Sequence, residues 1–269
     1  MIKSLIKTFL EKRGYYLVNN NFNFYSSFIN NFFNLLFIYD SGYELKRIGS
    51  SNDGGYLIPN ILNEIDFNIS PGVGLSTSFE DDLLKYDVKS FLIDGTVDYN
   101  GDHFFLKKNL SSYNDLSNIT LNSFVTTNPL IRESSNLMLQ MDIEGAEIET
   151  LLSLSEETLK KFKVLVVEFH NFKDLHNLSY LKLYYSVFTK ILKYFTIIHI
   201  HPNNFGQVVN LNNLKIPDIM EFTFLRNDLL RHKKNIRYLL PHSEDRKNSV
   251  KEDDIPLPEI FYKKSTEVA

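Results

Sequence analysis

The stretch from Leu137 to Leu152 constrains the fold more than any other part of the chain. It reads LMLQMDIEGAEIETLL: a short apolar run ends in Asp142, Ile143 and Glu144, and Gly145 then precedes a helical pattern. A short apolar run that is bounded by acids and glycine predicts a buried strand. In open α/β sheets, ligands bind at the carboxyl ends of the strands. We therefore expect Asp142 to lie at a binding or catalytic site.

From Phe67 onward, strand and helix patterns alternate along the chain. Strands are predicted at Phe67–Ser70, Phe91–Asp94, Phe104–Lys107, Leu137–Asp142, Val164–Glu168, Thr196–His201 and Glu221–Leu225. Helical patterns lie at Phe79–Tyr86, Ile148–Leu154 and Leu181–Tyr194. This alternation predicts an α/β fold with a seven-stranded, mostly parallel sheet that is covered on both faces, whose last strand is short and antiparallel.

The two flanks of this region have different patterns. Residues 1–45 are rich in Phe, Tyr and Asn, and their helical spacing predicts a helical N-terminal extension, packed on the main domain at 46–228 or used as a dimer surface or a lid. Residues 229–269 carry charge without apolar periodicity and are expected to form a solvated tail. A basic run at its start is an alternative contact for a phosphate group or an acidic substrate: Arg226, Arg231, Lys233, Lys234 and Arg237.

Composition excludes several classes of protein. The chain of 269 residues has no cysteine, which excludes disulfides, thiolate metal sites and cysteine nucleophiles. A net charge of −4 gives no basic field for nucleic acid. No segment approaches the roughly 20 apolar residues of a membrane span, and the first residues lack the features of a signal peptide. We expect a cytoplasmic protein.

The predicted first strand is followed by a glycine turn at Gly72 and Gly74, and the second strand ends at Asp94. Glycine at such a turn lets the backbone approach a ligand, and an acid about 20 residues later holds ribose hydroxyls. Ser78 is the expected N-cap of the next helix. Because Thr77 stands where GxGxxG needs its third glycine, the turn favours a nucleoside cofactor over a dinucleotide.

These residues also carry a family resemblance. GVGLSTSFEDDLL, FLIDGT and LQMDIEGAEIETLL, together with the segment from Arg47 to Tyr56 and HIHPNN at 199–204, resemble the FkbM family of S-adenosylmethionine-dependent methyltransferases, in particular its capsule-biosynthesis members. The similarity covers roughly residues 45–228. Ser70 stands where such enzymes often have an acid.

The resemblance implies a Rossmann-like class I methyltransferase fold that binds S-adenosylmethionine. Gly72 and Gly74 would lie under the cofactor, with Ser78 at the start of the next helix. Asp94 would take the ribose hydroxyls and Asp142 would sit beside the methyl group. The segment from Asp53 to Tyr56 would cross near the methionine end or close over the acceptor.

Histidines and acids also stand at later strand ends. Glu168 and His170 end the fifth strand, and His199 and His201 end the sixth, each pair pointing in one direction because side chains alternate along a strand. These groups are either satisfied polar residues at strand ends or members of one crevice shared with Asp142. In the second interpretation His201 is the first candidate for the general base and His170 the alternative.

A second way to activate an acceptor is a divalent cation. Asp142 and Glu168 at neighbouring strand ends resemble the metal-binding acids of catechol O-methyltransferases. Oxygen ligands of this kind favour Mg²⁺ or Mn²⁺. Metal-dependent and metal-free chemistry both remain open at this point.

Taken together, the sequence predicts an O-methyltransferase of a capsular or surface-polysaccharide precursor. The acceptor would be a small-molecule or nucleotide-linked saccharide, methylated on a sugar hydroxyl or on a phosphoramidate substituent. Two alternatives are a nicotinamide-dependent oxidoreductase and a non-catalytic binding protein with the same fold. A homo-oligomer is compatible with the sequence.

Overall fold

A seven-stranded sheet forms the centre of the molecule. The structure, a computed structural model, describes residues 9–10, 13, 22–74, 76–211 and 213–263. The strands of the sheet are β1 (Phe67–Pro71), β2 (Lys89–Ile93), β3 (Phe104–Leu106), β4 (Leu137–Met141), β5 (Phe162–Phe169), β6 (Phe195–Pro202) and β7 (Met220–Arg226). All seven lie within a few residues of their predicted positions.

The strand order is β6-β7-β5-β4-β1-β2-β3. β7 is antiparallel to both of its neighbours, whereas the other pairings are parallel, which confirms the predicted seven-stranded, mostly parallel sheet. The chain moves outward from β1 in one direction through β2 and β3, and from β4 in the other direction. The carboxyl ends of β1 and β4 therefore form the crevice where ligands bind in such sheets.

The helices are α1 (Phe22–Leu35), α2 (Ser78–Leu84), α3 (Leu121–Thr127), α4 (Glu147–Ser153), α5 (Glu156–Leu159) and α6 (Leu178–Leu192). Short 3-10 turns lie at Leu62–Glu64, Phe172–His176, Asn227–Leu229 and Glu259–Phe261. Smaller strand pairs join Leu45–Gly49 with Gly55–Pro59, Val208–Leu211 with Leu214–Pro217, Asn109–Leu110 with Asn118–Ile119, and Tyr39–Asp40 with Lys234–Asn235. The N-cap of α2 is Thr77, so the expected cap at Ser78 is one residue late.

Both faces of the sheet are covered, and this explains why most residues of its central strands are apolar. Leu165, Val167 and Phe169 of β5 belong to one buried cluster with α1, α4 and α6. Val164 and Val166 belong to a second cluster, with the hairpin at 45–59 and α2. Residues of even number in β4 and β5 therefore face the hairpin, so Asp142, Glu168 and His170, which continue that alternation, lie on the hairpin side.

Both ends of the described chain pack on this domain. Phe32 of α1 is fully buried and makes edge contacts with Phe188 of α6, so α1 packs on the domain. The sequence predicts a solvated tail after residue 228, whereas Asn248, Ser249 and Phe261 are buried. Among the described residues, no helix is long and apolar enough to cross a membrane.

Candidate active site

A cavity of about 590 Å³ opens at the crevice between β1 and β4. We call it the main cavity. Its wall includes all seven residues that the sequence assigns to the cofactor: Asp53, Tyr56, Gly72, Gly74, Ser78, Asp94 and Asp142. Its acidic side chains are Asp53, Glu80, Asp94, Asp142 and Glu144, and no Lys or Arg from the described residues lines it. The electrostatic potential in the cavity is therefore negative.

The floor of the main cavity is formed where the ends of β1 and β4 touch. Gly72 has a φ of 81°, and a Cβ at this position would lie 1.5 Å from the backbone oxygen of Asp142. Asp142 in turn donates its backbone N–H to the oxygen of Pro71 at 3.2 Å. Only glycine fits at position 72, because both the conformation and the space exclude a side chain.

Asp94 is fixed beside the glycine turn. Its Oδ2 accepts the backbone N–H of Gly74 at 3.2 Å, and its Oδ1 accepts the N–H of Thr96 at 2.7 Å. Burial opposes ionisation of this carboxyl, but the hydrogen bonds from Thr96 and Gly74 outweigh it and lower the pKa of Asp94. An ionised carboxylate at this point is a strong acceptor for hydroxyl groups.

The loop after β4 presents its acids to the cavity through a strained turn. Glu144 and Gly145 have φ values of 55° and 107°. The Glu147 carboxylate holds this turn, because its Oε1 accepts the backbone N–H of Gly145 at 2.9 Å and that of Ile143 at 3.3 Å. The glycine and the second glutamate of the DIEGAE motif thus shape the loop, whereas Asp142 and Glu144 line the cavity.

Asp142, Glu168 and His170 form a group that we call the strand-end cluster. His170 Nε2 lies 3.4 Å from Glu168 Oε1 and 3.9 Å from Asp142 Oδ1. Single ligand atoms of Asp142, Glu147 and His170 also lie within 4.8 Å of one another. His170 Nε2 therefore lies within 4 Å of an oxygen of each acid that the sequence predicts as a metal ligand.

Burial and mutual repulsion control the charges of this cluster. Burial, together with Glu144 and Glu147, outweighs the attraction of His170 and raises the pKa of Asp142 to about 7. Burial and the nearby charge of Asp142 also raise the pKa of Glu168 well above its usual value. Burial alone would lower the pKa of His170, but the surrounding carboxylates raise it. The cluster therefore attracts protons or other cations.

Glu80 is a cavity residue that the sequence interpretation missed. It is 3% exposed, although it lies on α2, and the Ser70 hydroxyl donates to its carboxylate. Burial raises the pKa of Glu80 despite that hydrogen bond. An acid from the following helix thus contacts Ser70, at the strand position where the family that the sequence resembles often has an acid. Ser70 at this position was the sign that an acid from another element could take its place.

A row of polar side chains crosses the hairpin face of the sheet beyond this cavity. Glu168 of β5 pairs with Glu221 of β7, and Glu221 pairs with His201 of β6. Asn248 donates to Glu221 Oε1 at 2.6 Å and to Asp53 Oδ1 at 3.1 Å. Sequence analysis missed Glu221 and Asn248, because β7 was not expected between β5 and β6.

His201 does not line the main cavity. β7 separates its strand from β5, so the expected convergence of three strand ends on one crevice does not occur. His201 instead faces a second cavity of about 200 Å³, lined by residues of the C-terminal segment, with its Nδ1 3.7 Å from Asp245 Oδ2. His199 is 2.9 Å from Asp245 Oδ1. His170, in contrast, is linked to the wall of the main cavity through its contact with Asp142.

The first residue of the basic run also lies away from the cavity. Because β7 is antiparallel, Arg226 sits at the opposite edge of the sheet, beside Phe195 at the start of β6. Its guanidinium donates to the backbone oxygen of Lys160 at 2.7 Å and pairs with Asp228. Arg226 is therefore occupied in holding strand starts together and does not contact an acceptor in the main cavity.

Comparison with known proteins identifies the family. Residues 50–209, more than half of the chain, match the family described as the methyltransferase FkbM domain. The chain belongs to the FkbM methyltransferase family. No curated protein matches it. The matched range contains the glycine turn, Asp94 and the strand-end cluster. All the residues that line the main cavity, including its acids, fall within the FkbM domain.

Proposed function

We propose that this FkbM-domain protein is an S-adenosylmethionine-dependent O-methyltransferase. The observation that carries the proposal is the position of Asp94, hydrogen-bonded to Gly74 and exposed to the same cavity as Asp142. One end of the cavity thus offers a carboxylate for ribose hydroxyls, and the other offers carboxylates for a cationic group. A nucleoside that carries a sulfonium has both features.

The residues present fit this cofactor. Asp94 would bind the ribose, and Gly72 and Gly74 would leave space for the ligand beside the turn. Asp53, Asp142 and Glu144 would face the methionine end, where negative side chains stabilise a positive charge. The cofactor supplies an activated methyl group when bound, so the protein has to align an acceptor oxygen and accept its proton.

The strand-end cluster is the part of the site that handles this proton. Asp142 lines the cavity and has a pKa raised by burial to about 7, close to the value that suits a general base near neutral pH. His170 lies behind it, with Nε2 3.9 Å from Asp142 Oδ1, and Glu168 in turn contacts His170. His201 stays a prediction from the sequence, with no contact in the structure that links it to the cavity.

The acceptor that this cavity favours is a neutral hydroxyl group. Its five acidic side chains, with no Lys or Arg from the described residues, would repel an anion. We therefore favour a sugar hydroxyl of a capsular or surface-polysaccharide precursor over an anionic phosphoramidate oxygen. The saccharide itself is inferred from family analogy, since folds of this kind serve many acceptors.

Calorimetry tests the cofactor. We expect S-adenosylhomocysteine to bind and NADH not to bind. Asp94→Ala should weaken binding by about 1.5–3 kcal/mol, because it removes a charged acceptor of hydrogen bonds. Asp102→Ala, which changes an exposed aspartate, is the matched control. Binding of S-adenosylhomocysteine that is the same in both variants would refute the role of Asp94, and preferential binding of NADH would favour the oxidoreductase.

A second experiment separates an enzyme from a non-catalytic binding protein. S-adenosylmethionine with a labelled methyl group is incubated with the protein and a panel of nucleotide-linked sugars and polysaccharide fragments. Transfer of label to a neutral saccharide supports the proposal. Binding of the cofactor without transfer to any saccharide in the panel would favour the binding protein.

A further inference from the structure

One ring nitrogen of His170 contacts a single carboxylate, and the other ring nitrogen faces three carboxylates. Its Nδ1 lies 3.1 Å from Glu147 Oε1. Its Nε2 lies 3.4 Å from Glu168 Oε1, 3.5 Å from Glu144 Oε2 and 3.9 Å from Asp142 Oδ1. The three carboxylate oxygens thus surround one nitrogen atom, at distances that are too long for good hydrogen bonds.

The contact with Glu147 determines which nitrogen carries the proton. Glu147 is fully buried, and its Oε1 already accepts backbone N–H groups of Ile143 and Gly145. An ionised carboxylate can only accept, so His170 Nδ1 must donate to it. In the neutral imidazole, the lone pair then lies on Nε2 and points between Asp142 and Glu168. A carboxylate behind a histidine is the usual arrangement for a metal-binding imidazole.

Glu168 gives a second and independent indication that this cluster can bind a cation. Its side chain is 4% exposed, and its Oε2 has no hydrogen-bond partner among the described residues. Its Oε1 accepts from Asn203 at 3.0 Å. A buried carboxylate oxygen without a partner is costly, and here it adds to the negative charges of Asp142 and Glu147. One bound cation would satisfy the free oxygen and neutralise the excess charge.

We propose that His170 Nε2, Asp142 and Glu168 bind one divalent transition-metal ion, with Glu147 as the residue that positions His170. Metal–ligand bonds of about 2.0–2.2 Å place adjacent ligand atoms about 3 Å apart in octahedral geometry. The two carboxylate oxygens lie 3.4 and 3.9 Å from Nε2, so each would have to move by less than about 1 Å to share one ion with it. Glu144 is exposed, and its Oε2 lies 3.5 Å from His170 Nε2. A small movement of its loop would let it join the site.

The imidazole narrows the choice of metal beyond what the two acids suggest. Magnesium prefers oxygen ligands alone, whereas imidazole with carboxylates suits manganese, iron or zinc. We commit to Mn²⁺ as the probe because it accepts both ligand types. When bound at the inner wall of the main cavity, such an ion would hold Asp142 as a ligand and make a hydroxyl group of the acceptor more acidic, so that the ion would replace Asp142 as the group that promotes loss of the proton.

Electron paramagnetic resonance tests the site without requiring activity. Mn²⁺ is titrated into the full-length protein, and the signal of the free ion reports how much is bound. We expect one ion per chain, bound at least about tenfold more tightly than Mg²⁺ in competition. His170→Ala and Glu168→Ala should lose this binding. Glu147→Gln should weaken it by about 10–100-fold, because that residue only orients the histidine.

His232→Ala is the control, since His232 pairs with Asp40 outside the cluster and should leave Mn²⁺ binding unchanged. Pulsed spectra of the wild-type complex should show coupling to an imidazole nitrogen, which decides the question even when a variant fails to fold. No binding by the wild type, no nitrogen coupling, or equal binding in His170→Ala would overturn the proposal. Calorimetry with S-adenosylhomocysteine on the same samples tests the proposed function separately, so either proposal can fail alone.

Discussion

At Gly72 the backbone of a neighbouring strand excludes any side chain, whereas at Gly74 there is open space. Both glycines have positive φ values, 81° and 58°, so alanine would cost about 1–2 kcal/mol in conformation at either position. At Gly72 a Cβ would also collide with the Asp142 oxygen, whereas at Gly74 nothing lies within 4 Å. The turn therefore contains one glycine required by packing and one required by conformation alone.

We expect Gly72→Ala to destabilise the protein by about 3 kcal/mol or more, since the collision adds to the conformational cost. Gly74→Ala should cost only the conformational part and should retain the fold. Urea unfolding of the two variants measures the difference. Equal free energies of unfolding would contradict the close contact between β1 and β4.

At the scale of elements, the C-terminal segment is joined to the wall of the main cavity through Asp53. Asn204 and Ser249 exchange hydrogen bonds, with Asn204 Nδ2 donating to the Ser249 oxygen at 2.8 Å and Ser249 N donating to Asn204 Oδ1 at 2.7 Å. Next to them, the Asn248 amide bridges Glu221 and Asp53. Residues 248 and 249 thus connect β7 to the loop of the hairpin at 45–59.

Asn248→Ala should lower the free energy of unfolding by about 1–3 kcal/mol, because it leaves two carboxylates without their donor. Val250→Ala is the control, since Val250 is 75% exposed and lies in the same segment. Urea unfolding and limited proteolysis of the segment measure both variants. A similar result for the two would show that the segment does not depend on Asn248.

The same elements show how far sequence reasoning reaches. The strands were predictable because apolar runs are local signals. The positions of Asp94 and Asp142 at the carboxyl ends of strands were predictable because these residues end such runs. The place of β7 between β5 and β6 was not, since strand order depends on contacts between distant residues. Glu221 was missed with it, because its neighbours depend on that strand order. Glu80 and Asn248 were missed because a polar residue on a helix or in a segment without periodicity carries no local sign of burial.

At the scale of the whole molecule, buried acids make stability depend on pH. Burial raises the pKa of Glu221 from 4.5 to about 8, even though Asn248 donates to it. Between these values the folded protein keeps a proton that the unfolded chain has released, so unfolding releases a proton. Stability is therefore fully present at the acidic end of this window and falls as the pH rises through it.

We expect the free energy of unfolding to fall by at most about 1.4 kcal/mol per pH unit for this group over that range. Glu221→Gln is neutral at every pH and should flatten the decline, whereas Glu157→Gln, at an exposed position, should not. Urea unfolding at about pH 5.5 and 8 measures the slopes. A slope that is unchanged in Glu221→Gln would assign the pH dependence to other groups.

The hydrogen bond between Asn248 and Asp53 joins residues that are 195 positions apart. A chain that emerges from the ribosome N-terminus first can build the hairpin at 45–59 and most of the sheet before that partner exists. Until then Asp53 and Glu221 lack the donor that satisfies both of them. The contacts that hold this wall of the main cavity therefore form late during synthesis, after the segment at 248–249 has been added.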